Sequence, residues 1–309
     1  MSEVRRTFEC FGGSVSVTVF GPPSMQPENA VAAAEARLLA AHRQLSRFLL
    51  DSDLNRLNRD PRASVPASPL LLRLASAVRE AGELSDGLVD ATLLREIETA
   101  GYRDSMQHRP GGGPPAESAA TTPARPNPER SWAEISVDRQ TREIKRPPGV
   151  EIDSGGVAKG MLADEVAATL AGFPAYAVDC CGDARVGGTA GQPRTVRVDN
   201  PCGGEPIHLL QISDGGVATS GITRRSWVGE DGALAHHLLD PATGKPAFTG
   251  VVQATALAPT AFLADVHAKW ALLSGPELAR ARLPYGGLLV LTGGSVETVT
   301  ARAPIASTA

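Results

Sequence analysis

Two glycines and a lysine lie together in the stretch EIDSGGVAKG at residues 151–160, which leads into the helical-looking segment MLADEVAATL. Glycine-rich backbone at the start of a helix can offer N–H groups to an anion, and the helix N-terminus carries a partial positive charge. Lys159 adds a cation within one turn. The stretch matches neither the GxxxxGK[ST] nor the GxGxxG phosphate-binding pattern. It therefore predicts either an anion-binding turn or a tight strand-to-helix connection, and both interpretations stay open.

Two further glycine-bearing stretches, DCCGDARVGG and DGGVATSG, carry polar side chains at predicted bends. In the first, Asp183 follows Gly182 and would either form a local Asx-type turn or contact a ligand. In the second, Thr219 and Ser220 lie at a predicted strand end and offer hydroxyl and N–H groups to a ligand. Neither stretch identifies the ligand.

Adjacent histidines, His236 and His237, open the stretch HHLLDPATGKP. Successive side chains on a strand point to opposite faces, so one histidine can face a cleft while the other faces solvent or core. Histidine titrates near neutral pH and suits acid–base catalysis, although a structural role is the more common one.

Asp265 and Lys269 are four residues apart on a predicted helix and therefore share one face. Two interpretations fit this spacing. The side chains form an ion pair, or Asp265 is a ligand of a hard cation such as Mg²⁺, which is held by one or two carboxylates together with substrate oxygens.

Seven stretches, in one order and across most of the chain, resemble segments of the FAD:protein FMN transferases, the ApbE-type flavin transferases. They correspond to the family patterns DSxLxxLN, GxFDxT, DLGGxAKGYAxD, GGDxRxxG, TSG, HxIDPxTGxP and TAxxADxxAT. In this chain they read LSRFLLDSDLNRLN, SDGLVDATL, IDSGGVAKGMLAD, CGDARVGG, ATSG, HHLLDPATGKP and APTAFLADVHAKWALLSG.

The resemblance implies a Mg²⁺-dependent enzyme that binds FAD and transfers FMN to a threonine or serine hydroxyl of an acceptor protein, with release of AMP. By position it implies a general base at His237, with His236 facing away. It also implies a metal site formed by the carbonyl of Gly156 and the carboxylate of Asp265. The residues implied to contact FAD are Phe48, Leu88, Val89, Asp90, Asp153, Lys159, Asp183, Thr219 and Ser220.

The main departure from the family pattern is Lys269, which stands where the family often has a metal-binding threonine. A protonated amine has no lone pair to donate to Mg²⁺. Lys269 therefore either pairs with Asp265 and weakens metal binding, or supplies part of the charge that the metal would bring to the pyrophosphate. Smaller departures are Cys181, where the family prefers glycine, and the Phe11-Gly12-Gly13 segment near its Met-Gly-Thr.

The elements that must position these residues alternate between strands and helices. Val15, Val17 and Val19 alternate with polar residues, which predicts a half-buried strand. The hydrophobic spacing predicts helices at 27–46, 68–82, 90–101, 158–171 and 260–274, and a short helix after Pro276. Strand candidates lie at 133–137, 142–145, 175–179, 194–199, 207–212, 236–239, 251–257 and 286–291.

Together these elements predict an α+β fold in which a mixed β-sheet core is flanked by helices. The family resemblance implies a single domain over residues 1–309, and the strand order is not determined. Residues 107–130 are dense in proline, glycine, alanine and threonine. Such a segment buries too little apolar surface to offset its ordering entropy, which predicts a flexible, disordered insertion.

Composition excludes several classes of partner. The formal net charge of −4 provides no basic field for nucleic acid. We expect no membrane anchor and a cytoplasmic protein, because the first 20 residues lack a signal-peptide pattern and no window approaches the roughly 20 apolar residues of a membrane helix. The cysteines show no zinc-binding spacing.

Two alternatives to FMN transfer remain open at this stage. The same site could act as an FAD pyrophosphatase that gives FMN and AMP, with water in place of the acceptor hydroxyl. It could also belong to a non-catalytic FAD-binding protein, which the altered residue at position 269 makes plausible. The sequence does not identify the acceptor protein.

Overall fold

The alternation of valine with serine and threonine at residues 14–19 forms a strand in the computed structural model, which describes residues 1–104, 121–229 and 232–305. Val15, Val17 and Val19 are fully buried in the core, while Ser14 is exposed. The valine face is therefore buried, as the period of two predicts, whereas the opposite face is exposed only at Ser14, because Thr18 is buried as well.

Among the described residues, most helices lie in the first half of the chain, and the strands from residue 175 to residue 258 follow one another without a helix between them. The helices are α1 (Pro27–Leu45), α2 (Asp53–Arg59), α3 (Pro69–Leu84), α4 (Leu94–Thr99), α5 (Ala158–Leu170), α6 (Ala261–Ser274) and α7 (Pro276–Ala279). The strands are β1 (Ser2–Cys10), β2 (Gly13–Gly21), β3 (Ser64–Pro66), β4 (Ser136–Asp138), β5 (Glu143–Lys145), β6 (Ala175–Cys180), β7 (Asp183–Gly187), β8 (Arg194–Val198), β9 (His208–Ile212), β10 (Gly215–Gly221), β11 (Ser226–Val228), β12 (Leu234–His236), β13 (Leu239–Asp240), β14 (Lys245–Pro246), β15 (Val251–Ala258), β16 (Gly287–Leu291) and β17 (Val296–Val299).

An antiparallel sheet forms the centre of the fold. Within the described residues, eight strands pair in the order β1-β2-β6-β7-β10-β15-β16-β17, and each neighbouring pair is antiparallel. The predicted α+β class is confirmed. The fold mixes helices with strands, but the strands of the large sheet are all antiparallel to their neighbours.

Three helices cover one face of this sheet. Helix α1 packs on β1 and β2, α5 on β6 and β7, and α6 on β10 and β15, while α5 contacts both α1 and α6. The other face of β7 and β10 is covered by the β8–β9 hairpin, which packs on Ala184, Val186 and Val217. Ala218, the next residue along β10, packs on α6 instead, because successive side chains point to opposite faces.

Most predicted elements are found, with different ends. The helices predicted at 27–46, 68–82, 158–171 and 260–274 correspond to α1, α3, α5 and α6. The helix predicted within 90–101 is confined to Leu94–Thr99. The strand predicted at 236–239 is two strands, β12 and β13, with His237 in the connection between them.

The predicted insertion at 107–130 lies only partly within the described residues, which resume at residue 121. Its final part, residues 121–130, is held by backbone hydrogen bonds to the rest of the chain. Thr122 N donates to Phe248 O, and Ala124 N donates to Leu273 O, both at 2.9 Å. Residues 121–130 therefore belong to the packed structure, and the prediction of disorder is wrong for them. Backbone hydrogen bonds hold this part, although it has almost no large apolar side chains.

None of the helices in the described ranges has both the length and the apolar composition that a membrane crossing requires.

Helices α5 and α6 approach each other closely at Gly160. A Cβ atom at this position would lie 2.7 Å from Ala261 O and 2.8 Å from Phe262 Cα. Asp164, one turn later on α5, accepts hydrogen bonds from the backbone N–H groups of Ala261 at 2.8 Å and Phe262 at 2.9 Å. A carboxylate of α5 therefore caps the N-terminus of α6, where the first N–H groups lack partners within the helix.

We expect Gly160→Ala to destabilise the protein by about 1–3 kcal/mol, because backbone atoms of α6 occupy the space of the new methyl group. Helix propensity alone would give the opposite sign, a gain of about 1 kcal/mol. Urea unfolding at equilibrium measures the difference. Gly172→Ala is the matched control, since nothing lies within 4 Å of its Cβ position. Equal or greater stability of Gly160→Ala would contradict the close contact.

Candidate active site

Two adjoining cavities open beside the N-terminal half of α5. The larger, about 330 Å³, is mainly apolar, and the smaller, about 170 Å³, is mainly polar. Their walls have five residues in common, namely Gly155, Lys159, Arg225, His237 and Lys269. The side chains at the junction are therefore three cations and one histidine. A molecule with an apolar ring and an anionic group could extend from the larger cavity into this junction.

The segment before α5 is held in place by contacts from several parts of the chain. The Asn58 side chain exchanges two hydrogen bonds of 2.9 Å with the backbone of Ile152. Ser154 Oγ donates to Leu45 O at 2.7 Å, and Asp153 N donates to Ala91 O at 2.8 Å. Three of the stretches that carry the family resemblance therefore meet around residues 151–157.

The first N–H group of the glycine turn is already engaged. Gly155 N donates to Asp153 Oδ1 at 3.0 Å, and residues Ser154–Gly156 form a single 3₁₀ turn before α5. The anion-binding interpretation of this N–H group is therefore corrected by the structure, because the Asp153 carboxylate takes the position of the anion. Lys159 remains the group in this stretch that can attract a phosphate.

The larger cavity contains the predicted residues Phe48, Leu88, Val89 and Asp90 in its wall. The Phe48 ring is 37% exposed at the cavity, and the Arg47 guanidinium lies 4.5 Å from its centroid. Arg47 also stacks on Tyr102, at 4.6 Å. A cation between two aromatic rings keeps both rings in fixed positions, which is suited to holding a flat ligand.

Asp90 is partly engaged in local hydrogen bonds. Its Oδ1 accepts from Thr92 N at 2.8 Å and from Thr92 Oγ1 at 2.5 Å. Its Oδ2 is buried without a hydrogen-bond partner among the described residues. Burial raises the pKa of this carboxyl, and the Thr92 hydrogen bonds oppose that change only in part. The free oxygen can accept a hydrogen bond from a ligand in the larger cavity.

Lys159 forms a buried ion pair with Asp183. Asp183 is the first residue of β7, directly after a tight turn in which Cys181 and Gly182 have positive φ angles of 61° and 96°. The family's preference for glycine at position 181 has its reason here, since glycine adopts this backbone without strain. The local Asx-type bond belongs to Asp179, which accepts from Gly182 N at 2.7 Å, and not to Asp183.

The surroundings keep Lys159 protonated. Burial alone would lower the pKa of its ammonium, but the Asp183 and Asp265 carboxylates outweigh that effect and raise it. Lys159 therefore enters both cavities as a cation.

Lys269 and Asp265 form a second buried ion pair, one turn apart on α6. Asp265 is 1% exposed and Lys269 is 7% exposed. Burial, followed by the nearby Asp183 carboxylate, raises the pKa of Asp265, and Lys269 and Lys159 oppose that rise. Of the two interpretations of this spacing, the structure contains the ion pair.

The residues present do not fit the Mg²⁺ site that the family resemblance implies. The Lys269 ammonium contacts Asp265 Oδ1, which leaves Oδ2 as the one oxygen of this carboxylate without a hydrogen-bond partner within the described residues. Gly156 lines the larger cavity, whereas Asp265 lines the smaller one. In the described ranges, no three His, Cys, Asp or Glu side chains are grouped to hold a metal ion. Two like unit charges about 4 Å apart repel by about 4 kcal/mol at an effective dielectric constant of about 20, and a divalent ion doubles this.

His237 lies at the junction of the cavities, in the connection between β12 and β13. Its Nδ1 lies 3.4 Å from Arg225 O. A carbonyl oxygen only accepts, so Nδ1 donates the proton and Nε2 is left as the acceptor. Burial, and then the positive charge of Arg225, lower the pKa of His237 well below its ordinary value. The ring is therefore neutral at pH 7, with Nε2 unprotonated.

His236 has a different environment. Its ring is fully buried, lies edge-on to Phe248 at 4.8 Å between centroids, and accepts a hydrogen bond from Leu238 N at 3.2 Å. Burial lowers its pKa to about 4. His236 lines neither cavity, which agrees with the prediction that it faces away.

The remaining predicted residues lie on β10, in the wall of the smaller cavity. Thr219 Oγ1 forms a 2.9 Å hydrogen bond with Thr255 Oγ1, and Ser220 is buried beside it. Sequence analysis singled out neither Arg225 nor Arg47, although Arg47 lies in the first of the seven stretches, next to Phe48. Arg225 lies in the turn between β10 and β11, and this turn brings its side chain into the wall of both cavities.

Comparisons with known proteins agree with this fold and identify the family. The sequence model of the ApbE family matches residues 11–287. The chain is 29% identical over 282 residues to the FAD:protein FMN transferase of Klebsiella pneumoniae, which covers 89% of this chain and 79% of that protein. The crystal structure of the ApbE protein from Thermotoga maritima superposes with a TM-score of 0.80 at 26% identity, over 96% of this chain and 97% of that one. The apo flavinyl transferase ApbE of Pseudomonas stutzeri, at 22% identity, shares the fold with a TM-score of 0.74, over 96% and 95% of the two chains.

We expect the His237 ring to stay neutral when the pH falls through 6.5, because its pKa is lowered by burial and by Arg225. Nitrogen chemical shifts of the histidine ring, followed by NMR during a pH titration, measure this directly. In Arg225→Gln the pKa of His237 should rise back towards its ordinary value, since one of the charges that lower it is gone. A wild-type ring that becomes protonated at or above pH 6.5 would contradict the described environment.

Proposed function

The chain belongs to the ApbE family, and from this premise we propose that it is an FAD:protein FMN transferase that passes the FMN half of FAD to a threonine or serine hydroxyl of an acceptor protein and releases AMP. The observation that carries the proposal is the junction of the cavities, where neutral His237 lies among Lys159, Lys269 and Arg225. Phosphoryl transfer needs this combination of a base and fixed positive charge.

The two cavities match the two parts of the reaction. In the proposal, the apolar cavity holds the flavin ring against Phe48, Leu88 and Val89, and Asp90 and Asp153 accept hydrogen bonds from polar groups of the flavin half. The pyrophosphate lies at the junction. The acceptor hydroxyl enters through the smaller cavity, beside Thr219 and Ser220.

The proposed transfer forms one bond and breaks one. The acceptor oxygen attacks the phosphorus of the FMN half, and the bond between that phosphorus and the bridging oxygen breaks. AMP leaves with the bridging oxygen. The hydroxyl proton passes to His237 Nε2, the ring nitrogen that does not face Arg225 O. Holding the acceptor hydroxyl and the pyrophosphate next to each other in the site supplies a large part of an enzyme's rate increase over the uncatalysed reaction.

Fixed cations stabilise the charge that develops during the transfer. Lys159 is oriented by Asp183 and Lys269 by Asp265, so both ammonium groups are held in place before the substrate binds. Preorganised charges in a partly dry site act more strongly than the same charges in water. The proposed transfer does not use Mg²⁺, because the Lys269 ammonium occupies the space beside Asp265 where that ion would bind.

A direct assay separates FMN transfer from its alternatives. The pure protein is incubated with FAD and a peptide library in which a fixed threonine is surrounded by random residues. Transfer gives peptides that gain the mass of FMN, with one AMP for each modification. Free FMN and AMP without modified peptides would identify an FAD pyrophosphatase. Unchanged bound FAD would identify a non-catalytic FAD-binding protein.

We expect His237→Gln to lower the rate of FMN transfer by about 10²- to 10⁴-fold, the range for loss of a general base. Binding of FAD should change little, because the ring acts on the hydroxyl proton. Rates come from AMP release and peptide mass, and affinity from the flavin fluorescence change. His208→Gln is the control, since His208 lies on β9 and lines neither cavity. Transfer by His237→Gln at the wild-type rate would remove the proposed role.

A further inference from the structure

We propose that the Lys269 ammonium supplies, from within the chain, the positive charge that a divalent cation would otherwise bring to the FAD pyrophosphate, so that FAD binding and FMN transfer by this protein need no divalent cation. The inference rests on the proposed function. It concerns the residue at which the chain departs from its family pattern and at which the structure contains an ion pair in place of a fitting metal site.

Lys269 is placed to contact a ligand that lies at the junction of the cavities. It lies on α6, one turn after Asp265, and its side chain reaches both cavities although it is only 7% exposed. A buried charge is retained only where it is paired or where a ligand uses it. An ammonium group has three N–H donors, and the described pair with Asp265 uses one. The others can donate to phosphate oxygens at the junction.

The charged side chains at the junction are mainly positive. The ionised side chains common to both cavities are Lys159, Lys269 and Arg225, and the fourth side chain, His237, is neutral. The carboxylates of Asp183 and Asp265 pair with the two lysines. Three cations and two carboxylates leave the junction with a net charge of +1, which would be zero without Lys269, beside a pyrophosphate that carries two negative charges. A divalent cation beside Asp265 would have to displace the ammonium or lie against it.

Lys269 acts as a fixed charge and is not consumed. The bonds that form and break are those of the proposed transfer. Lys269 is therefore a positioning and charge-stabilising residue for the substrate phosphates.

The first experiment compares FAD binding by the wild-type protein in chelator and in millimolar Mg²⁺. We expect the two dissociation constants to agree within about threefold, and FMN transfer to proceed in chelator, because the charge is built in. Lys269→Met should weaken FAD binding in chelator by about 10- to 100-fold, the loss expected when a charged hydrogen-bond donor is removed. Lys269→Arg keeps a positive charge and should therefore recover part of the lost FAD affinity.

The second experiment measures the cation site directly with Mn²⁺ as a paramagnetic probe. The wild-type protein should show no saturable Mn²⁺ site in the micromolar range. Lys269→Thr, which removes the ammonium and places an oxygen beside Asp265, should gain one, and Mg²⁺ should then strengthen its FAD binding. Lys245→Thr is the matched control, because Lys245 is exposed on β14 and lines neither cavity, and it should behave as the wild type.

The outcomes separate the inference from the function on which it rests. Two results would overturn the inference and leave the transferase function intact. The first is a wild-type protein that binds FAD or transfers FMN only with a divalent cation. The second is a wild-type protein that binds Mn²⁺ tightly with Lys269 in place. Wild-type protein that binds no FAD in either condition would overturn both. The chelator comparison uses the unaltered protein, so it decides the question even if a variant at position 269 fails to fold.

Discussion

The contact between α5 and α6 is the constraint on which the site depends. Gly160 lets the backbone of α6 lie against α5, and Asp164 fixes the start of α6 through two backbone N–H groups. Lys159 on α5 and Asp265 on α6 can therefore interact, although they are more than one hundred residues apart in the sequence. A larger side chain at position 160 would separate the helices and with them the charges at the junction.

The two buried ion pairs are better explained by the site than by stability. Taking two charges out of water costs free energy that their attraction often does not recover, so apolar residues of similar volume would serve a core equally well. Both Lys159 and Lys269 end at the junction of the cavities, each held by a carboxylate behind it. Such pairs keep cations oriented in a partly dry space where an anionic ligand gains most from them.

Much of the fold and of the site was predictable from local patterns. The alternation around Val17 and the hydrophobic spacing of α1 and α6 depend on neighbours along the chain, so they identify elements without knowledge of the fold. The strand order did not follow, because β2 pairs with β6 and β10 with β15 across long stretches of sequence. The single strand predicted at 236–239 is divided because β12 pairs with β11 and β13 pairs with β14, so the two strands belong to separate small sheets.

The sequence by itself determined which chemical groups this protein carries and their order, including the lysine at position 269 where its family often has threonine. It also indicates a histidine pair, the aspartates Asp90, Asp153, Asp183 and Asp265, and the lysines Lys159 and Lys269 as candidates for phosphate chemistry. Only the tertiary structure decided how they combine: that Asp153 caps its own turn, that Arg225 joins the junction, and that Asp265 faces an ammonium. The physical reason is that burial and Coulomb energy depend on distances in space, which the packing of α5 on α6 sets.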